Sequence, residues 1–260
     1  MKQPIVTIGL GEMGSVFARG ILRLGHPLFP VTRDMDIQQA AKEIAEPLFV
    51  LVAVAENDLH PVLEQIPTQW LDRIVLLQNE LLPRDWQQYD GFKQNPPTVI
   101  SVWFEKKKGQ DSKVLIPSPV FGPHAQVIFD ALATLDIPVK VVNSAKQMEL
   151  ELVIKNVYIL TTNIAGLAIE TGATVDNLWK QHQQLANDVA NDVIDIQEHL
   201  TGKTFNRDAL IEGMVEAMNG DLEHKCMGRS APARLERALN IAENAKLNLK
   251  HLINIKNSQN

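Results

Sequence analysis

The chain has 260 residues, of which 45% are hydrophobic and 22% charged, and its formal net charge is −6. This length predicts one large domain or two smaller ones, and the lack of a long basic run argues against nucleic acid as a partner. A single cysteine, Cys226, excludes an internal disulfide, and no apolar run approaches the ~18 residues of a membrane span.

The first part of the chain alternates between strand and helix patterns. Strands are predicted at 5–10, 28–32, 48–54, 73–78 and 137–142, and helices at 11–25, 36–46, 58–66 and 123–135. Two further apolar segments, 98–104 and 113–117, are joined by EKKKGQD and predict a hairpin with a solvated lysine-rich turn. The alternation indicates an α/β fold, with a doubly wound Rossmann domain over residues 1–143.

The rest of the chain, residues 144–260, has only helical periodicity. Helices are predicted at 145–171, 174–201, 206–219 and 230–255. We therefore expect an all-helical second domain that binds substrate and offers a face for a homodimer. The stretch MKQPIVTIGLGEMG has too short an apolar run for a signal peptide, so a cytoplasmic protein is expected.

A glycine pattern connects the first predicted strand to the first helix. Gly9, Gly11 and Gly14 form G-x-G-x-x-G. In a dinucleotide-binding loop the first glycine permits a tight turn, the second lets the backbone approach a pyrophosphate, and the third lets helix and strand pack closely. The N–H groups around Glu12 and Met13 would then face the anion. This context favours a bound dinucleotide over a glycine-rich turn without a ligand.

The end of the second predicted strand, VTRD, bears on the choice of cofactor. An acidic residue there binds a ribose 2′-hydroxyl, whereas a basic one accommodates a 2′-phosphate. Thr32 and Arg33 fall at this position, so the sequence favours NADP. Asp34 would argue against NADP if the register moved by one residue. Arg33 could instead be a surface arginine paired with Asp34 or Asp36.

Several stretches resemble the ketopantoate reductase family, within the wider group of 6-phosphogluconate, β-hydroxyacid and glycerol-3-phosphate dehydrogenases. GLGEMGSVFA resembles the nucleotide loop, and IVLLQNELLP resembles a segment that usually contains QNG. VFGPHAQVIFDALATLDIPVKVV resembles the end of the first domain, and EHKCMGRSAPARLERAL resembles a segment that contacts substrate. The resemblance implies an NADP-dependent reductase of a small 2-keto acid, with Asn79 near the nicotinamide ribose.

The resemblance also gives a role to Lys155, which interrupts the apolar helix LVIKNVYILTTNIAG. Enzymes of this group carry a lysine on the first helix of the second domain, and it donates a proton to the ketone oxygen as hydride reaches the carbon. An apolar setting would lower the pKa of this lysine and make it a better donor. The alternative is a surface ion pair with Glu151, four residues earlier.

One face of the same helix predicts a narrow polar stripe. Helical spacing places on it Lys155, Ile159, Thr162, Asn163 and Gly166. Asn163 is therefore a candidate catalytic residue that positions substrate. Asn156 is a candidate substrate-binding residue, because one of these two amides would have to replace the asparagine that the family usually places four residues after the lysine.

The family's pattern is changed at three positions. Ile159 stands where the asparagine is expected, Glu80 replaces the glycine of QNG, and Cys226 replaces a serine. The family's substrate-side glutamate has no aligned counterpart, and Glu236 is the nearest candidate. These changes bear on the substrate more than on the fold.

The segment 221–234 carries candidates for substrate binding. Arg229, Ser230 and Arg234 lie within it, and the forked guanidinium of arginine suits a carboxylate clamp. The alternative is that both arginines face solvent or pair with Glu236. The seven histidines show no metal spacing, so no metal is predicted.

The leading hypothesis is an NADPH-dependent reductase of a small 2-keto acid with Lys155 as proton donor. A second hypothesis, favoured by Ile159 and Glu80, is an NADP-binding protein of the same fold that has lost the reaction. A third is a reductase that acts on a β-hydroxyacid or a phosphorylated sugar.

Overall fold

The computed structural model describes residues 2–259, which form two compact units with the boundary between Leu152 and Val153. This boundary falls inside a long helix. The predicted boundary, residue 143, lies in the loop that precedes the helix.

The first unit is built on strands that the sequence marks by short β-branched, apolar runs. Its strands are β1 (Ile5–Ile8), β2 (Leu28–Val31), β3 (Val50–Val52), β4 (Ile74–Leu76), β5 (Thr98–Ile100), β6 (Phe104–Glu105), β7 (Lys113–Val114), β8 (Ser118–Phe121) and β9 (Val139–Val141). Seven of them form one sheet in the order β2-β1-β3-β4-β5-β8-β9. Neighbours in this sheet run parallel, except that β5 and β8 are antiparallel.

Helices cover the sheet, as a parallel sheet buried on both faces requires. They are α1 (Glu12–Arg23), α2 (Ile37–Glu43), α3 (Leu59–Leu63), α4 (Pro83–Gln87), α5 (Asp90–Gln94) and α6 (Ala125–Ala133). Helices α1 and α6 pack together, with Phe17 and Ile21 of α1 and Ile128 of α6 fully buried. A side chain at Gly20 would meet the carbonyl oxygen of Ala131, so this glycine permits the close approach of the two helices.

Two features of the first unit differ from the prediction. The segment 98–104 contributes β5 to the main sheet and only its last residue to the hairpin, where β6 pairs with β7. Strand β8 was not predicted, because Pro119 in a short run suggests a turn. The lysine-rich turn does connect the two hairpin strands, as expected.

The second unit is helical, as predicted. Its helices are α7 (Ala145–Gly166, which begins before the boundary), α8 (Val175–Gln181), α9 (Gln183–Thr201), α10 (Arg207–Gly220), α11 (Ala231–Ala245) and α12 (Lys250–Asn257). Helix α9 packs against α8, α10, α11 and α12 and forms the centre of the unit.

Three helices of the second unit were predicted as longer than they are, and the first of them, 145–171, ends at Gly166. The segment 174–201 breaks at His182, and the segment 230–255 breaks after α11, where Lys246 has a φ of 56°. Among the described residues, no helix is long and apolar enough to cross a membrane. The prediction of an α/β fold with a helical second part is confirmed.

Candidate functional site

The order of the strands makes one edge of the sheet the candidate ligand site. The chain moves outward from β1 to β2 on one side and from β3 to β4 on the other, so the direction of winding reverses between β1 and β3. In doubly wound sheets, ligands bind outside the carboxyl ends of the strands at this point. The glycine loop follows β1 there, and residues 53–58 follow β3.

The three glycines of this loop have different surroundings. Gly9 has a φ of +90°, and a Cβ there would lie 2.7 Å from the carbonyl oxygen of Ala53. A Cβ at Gly14 would meet the carbonyl oxygen of Gly9, so this position allows α1 to pack on β1. Gly11, at the start of α1, has nothing within 4 Å of its Cβ position. The loop therefore has an open side from which a phosphate can approach the backbone.

The first residues of α1 also face a lysine. Glu12 is exposed and Met13 is partly buried against the core. The Nζ of Lys106, from the turn between β6 and β7, lies 3.8 Å from a carboxylate oxygen of Glu12. The side chain of Lys106 is only 15% exposed. The turn is thus not uniformly solvated, and it brings a cation to the start of α1 that the sequence analysis did not identify.

The residues predicted to choose between NADP and NAD follow β2 directly. Thr32 and Arg33 are both exposed, and the amide of Gly9 donates to the carbonyl oxygen of Val31, which ties this loop to the glycine loop. An Nη of Arg33 lies 3.4 Å from Asp58. The Arg33 side chain is 91% exposed, so its fork remains accessible to a ligand.

The suggested alternative partners of Arg33 have other environments. Asp36 caps α2 by accepting from the amides of Gln38 and Gln39. Asp34 lies exposed in the turn after Arg33.

The loops after β3 and β4 are joined by side-chain hydrogen bonds. The Asn79 amide donates to Glu56 at 3.3 Å. Its buried neighbour Gln78 donates to the carbonyl oxygen of Val52 at 2.7 Å. Asn79 therefore lies at the same edge of the sheet as the glycine loop, although a carboxylate holds its amide.

Glu80 occupies a backbone conformation that suits glycine. Its φ is 60°, in the left-handed region. Glycine adopts this conformation without a steric clash, because it has no Cβ. The replacement of glycine by glutamate places backbone strain and a negative charge in the loop after β4.

In the second unit, Lys155 lies inside α7 and is only 9% exposed. Burial, and to a smaller extent the positive charge of Arg234, lowers the pKa of Lys155 to about 7. Its Nζ lies 5.9 Å from the centre of the Tyr158 ring. A lysine in this state can hold or release its proton near neutral pH.

The alternative that Lys155 is a solvated surface residue is not supported by its surroundings. The carboxylate of Glu151 accepts from Lys140 at 3.1 Å, which gives Glu151 a surface partner of its own. A side chain that is 9% exposed is also not a solvated one.

Asn163 connects α7 to α11. Its oxygen accepts from Nη1 of Arg234 at 3.1 Å, and its nitrogen donates to the carbonyl oxygen of Ile159 at 2.9 Å. The predicted polar face of α7 is partly covered by the segment before α11. A Cβ at Gly166 would lie 3.0 Å from Cys226, and one at Gly228 would lie 3.4 Å from the oxygen of Asn163.

The remaining predicted substrate residues are Asn156 on α7 and three residues just before or on α11. Asn156 is buried and donates to Gln197 of α9 at 3.0 Å, an interior contact between two helices. Arg229 and Ser230, just before α11, and Glu236 on it are exposed. Their roles stay predictions, and of the two arginines in the segment only Arg234 is placed at Asn163.

Cys226 is buried, and burial raises the pKa of its thiol to about 12. Its amide donates to the carbonyl oxygen of Ala173 at 3.0 Å. This thiol is therefore suited to packing rather than to nucleophilic chemistry.

The chain was compared with known sequences and with solved structures. No family model matches the sequence, and no curated protein is similar enough to match it. Solved structures, in contrast, match over nearly the whole chain.

One similar structure is 2-dehydropantoate 2-reductase from Methylococcus capsulatus, with a TM-score of 0.65, 13% identity, and coverage of 97% of this chain and 94% of that chain. A second is the dimeric ketopantoate reductase from Staphylococcus aureus, with a TM-score of 0.60, 15% identity, and coverage of 97% and 95%. A third is D-mandelate dehydrogenase with NADH and anilino(oxo)acetate, with a TM-score of 0.62, 11% identity, and coverage of 96% of each chain.

These likenesses define the class of fold. The chain has the two-part fold of the ketopantoate reductases, and the resemblance that the sequence motifs suggested is confirmed at this level. The identities are too low to carry over an activity without an argument from the residues themselves.

Proposed function

We propose that the protein is a nicotinamide-dependent oxidoreductase that acts on CH–OH groups, and that it reduces a small 2-keto acid with NADPH. The observation that carries this proposal is the buried Lys155 on α7, whose pKa is lowered to about 7. The likeness of the whole chain to reductases, and to a dehydrogenase solved with NADH, supports the nicotinamide cofactor.

The residues at the carboxyl edge of the sheet fit a dinucleotide. Gly9, Gly11 and Gly14 would hold the pyrophosphate against the start of α1, with Glu12 and Met13 contributing backbone N–H groups. Lys106 adds a positive charge at the same place. This set fits because the Gly11 position is open while the other two glycines permit the turn and the packing.

Cofactor preference and orientation would depend on the neighbouring loops. Arg33 would bind the 2′-phosphate, with Thr32 beside it, and this favours NADPH over NADH. Asn79 would contact the nicotinamide ribose after the hydrogen bond from its amide to Glu56 is broken.

In the proposed reaction, Lys155 donates the proton that the ketone oxygen receives. A reduced nicotinamide, when bound, supplies a hydride to the ketone carbon. The oxygen gains negative charge as this occurs, and the Lys155 ammonium donates a hydrogen bond and then its proton to it. Because the pKa of Lys155 is close to neutral, the ammonium gives up its proton readily and is reloaded from solvent between turnovers.

A second candidate is a protein that binds NADP without turnover. Glu80 favours it, because its strained backbone and its carboxylate lie in the loop next to Asn79. Ile159 favours it too, because an apolar side chain replaces the amide expected four residues after Lys155. A reductase for a β-hydroxyacid or a phosphorylated substrate is the third candidate.

The test is NADPH oxidation by the purified protein against a panel of 2-keto acids, with ketopantoate among them, and with NADPH binding measured by calorimetry. Turnover of a 2-keto acid supports the proposal. Binding without turnover supports the second candidate. Oxidation of a β-hydroxyacid or a sugar phosphate by added NADP⁺ or NAD⁺, with no turnover of the 2-keto acids, supports the third candidate. No NADPH binding overturns the first two.

We also propose a homodimer formed through the helical unit, and the similar ketopantoate reductase from Staphylococcus aureus is dimeric. Sedimentation of the purified protein tests this. A cytoplasmic location is proposed on the presence of a single buried, reduced cysteine.

A further inference from the structure

An open groove lies along one face of α1 in the first unit. Its volume is about 580 Å³, within the range of roughly 300–1,000 Å³ that small-molecule sites occupy. The lining residues come from α1, from the glycine loop before it and from the start of β2, and they are Leu10, Ser15, Ala18, Arg19, Leu22, Arg23 and Leu28. The proposed function gives this groove no role.

Part of the lining is apolar surface that remains in contact with water. Leu22 is 55% exposed and Leu10 is 40% exposed. Leu28 is partly buried and packs against the core of the unit. Exposed leucines that are scattered singly need no explanation, whereas leucines that line one groove form a patch that a ligand can cover. A ligand with an apolar part would remove this surface from water, which is favourable.

The helical spacing of α1 places polar residues beside the apolar ones. Ser15, Arg19 and Arg23 recur at intervals of four, so they form one row along the helix. Ala18 and Leu22 form the neighbouring row at the same interval. The polar row extends over about 12 Å of the helix axis, at the usual rise of about 1.5 Å per residue. The groove therefore has a cationic row and an apolar row side by side, which suits an elongated ligand with one apolar and one anionic part.

The charge of the groove is opposite to that of the chain as a whole. The chain has a formal net charge of −6, whereas the seven described residues that line the groove include two arginines and no carboxylate. Arg19 is exposed, and within residues 2–259 its side chain has no hydrogen bond and no ion pair. Arg23 is also exposed, but it donates to the carbonyl oxygen of Thr134 at the end of α6. Arg19 is thus the cation that can pair with a bound anion.

We propose that this groove is a binding site for a free, single-chain aliphatic carboxylate. The chain would cover Leu10 and Leu22, and the carboxylate would pair with the forked guanidinium of Arg19. The net charge of −6 disfavours an anionic membrane surface as the occupant, because the rest of the protein would be repelled by it. The site goes beyond the proposed reaction and does not depend on it.

The test is calorimetric titration of the purified protein, without NADPH, with hexanoate, octanoate and decanoate. Affinity is expected to rise by about two- to fourfold for each methylene that the groove covers. Decanol has the same chain without the charge, and it is expected to bind up to about fivefold more weakly than decanoate, the contribution of an exposed ion pair. Decyltrimethylammonium is expected to bind more weakly than decanol, because its charge would lie beside two arginines.

Variants at exposed positions test the two halves of the site without disturbing the core. Leu22→Asp is expected to weaken decanoate binding by at least about tenfold, because it removes apolar surface and adds a repelling charge. Arg19→Gln is expected to remove most of the difference between decanoate and decanol and to leave decanol binding unchanged. The matched controls are Ile253→Asp on α12 and Arg84→Gln on α4, both at exposed positions, and they are expected to behave as wild type.

The inference is overturned if none of the three carboxylates binds, or if decanoate, decanol and decyltrimethylammonium bind equally well. It is also overturned if Ile253→Asp weakens binding as much as Leu22→Asp, or if Arg19→Gln keeps the full preference for decanoate. Flotation of the protein with phosphatidylglycerol vesicles, without binding of free decanoate, would identify a membrane as the occupant instead. Failure of NADPH oxidation bears on the proposed function alone, because these titrations contain no cofactor.

Discussion

The guanidinium of Arg33 lies 3.4 Å from the carboxylate of Asp58, so that a residue after β2 pairs with one after β3 across the glycine loop. This ion pair places Arg33, the residue predicted to favour NADP over NAD, next to a negative charge. A 2′-phosphate would have to compete with Asp58 for the guanidinium, and Asp58 would repel it.

We therefore expect Asp58→Asn to strengthen NADPH binding relative to NADH by up to about fivefold, the value of an exposed ion pair. Arg33→Ala is expected to weaken NADPH binding and to leave NADH binding unchanged. Fluorescence titration of both cofactors measures this. If Asp34→Asn, rather than Asp58→Asn, changes the preference, the selector is one residue later than Arg33.

Lys106 gives a prediction with a matched control in the same turn. Its Nζ lies 3.8 Å from Glu12 and its side chain is 15% exposed, whereas Lys107 pairs with Glu105 and is 60% exposed. We expect Lys106→Ala to weaken NADPH binding by about tenfold, since a half-buried cation at a helix start contributes on the order of 1 kcal/mol to anion binding. Lys107→Ala should change it little. Equal effects of the two variants would show that only the net charge of the turn matters.

Glu80 gives a prediction about stability. A non-glycine residue at a φ of 60° costs about 1 kcal/mol, so Glu80→Gly is expected to relieve strain. Glycine also loses more chain entropy on folding, and the two effects should leave the free energy of unfolding within about 1 kcal/mol of wild type. Urea denaturation measures it, with Asp136→Gly, at a φ of 56°, as the control. A large loss of stability would mean that the Glu80 side chain contributes more than its backbone costs.

The lowered pKa of Lys155 makes stability depend on pH. The folded pKa of about 7 lies below the ordinary value of 10.5, so the unfolded chain binds more protons between these two values. Stability should therefore rise with pH across this window, and the cost of burying the charge is fully present below about pH 7.

The variant Lys155→Met removes this cost. It is expected to be more stable than wild type at pH 7, and the difference should shrink towards pH 10. Chemical denaturation at several pH values measures it, and Lys180→Met, at an exposed lysine paired with Asp176, is the control with no such trend. A pH-independent difference would show that Lys155 is neutral or fully compensated in the folded protein.

Local patterns were sufficient to predict most of the fold. Continuous apolar runs such as 48–54 become buried parallel strands because both faces of the sheet are covered. Strand β8 and the break at His182 were missed, because a proline in a strand and a polar residue within a long helical pattern are accommodated only by tertiary contacts.

The candidate site could be predicted only where local sequence patterns mark its residues. The glycine loop follows from its spacing between a strand and a helix, and Lys155 stands out as a charge in an apolar helix, whereas its role is what the family resemblance implies. The contact between Asn163 and Arg234 joins residues 71 positions apart, and the approach of Lys106 to Glu12 depends on how a hairpin folds over a helix. Neither contact leaves a local signature.

The measurement that tests the central claim most directly is the pH dependence of kcat/KM for NADPH-driven reduction by wild type and Lys155→Ala. Wild type is expected to be most active below about pH 7 and to lose activity above it, as Lys155 loses its proton. Lys155→Ala is expected to bind NADPH normally, to lose about 10²- to 10⁴-fold in kcat/KM, and to show no such inflection. Full activity in Lys155→Ala, or an unchanged pH profile, would contradict the assignment of Lys155 as the proton donor.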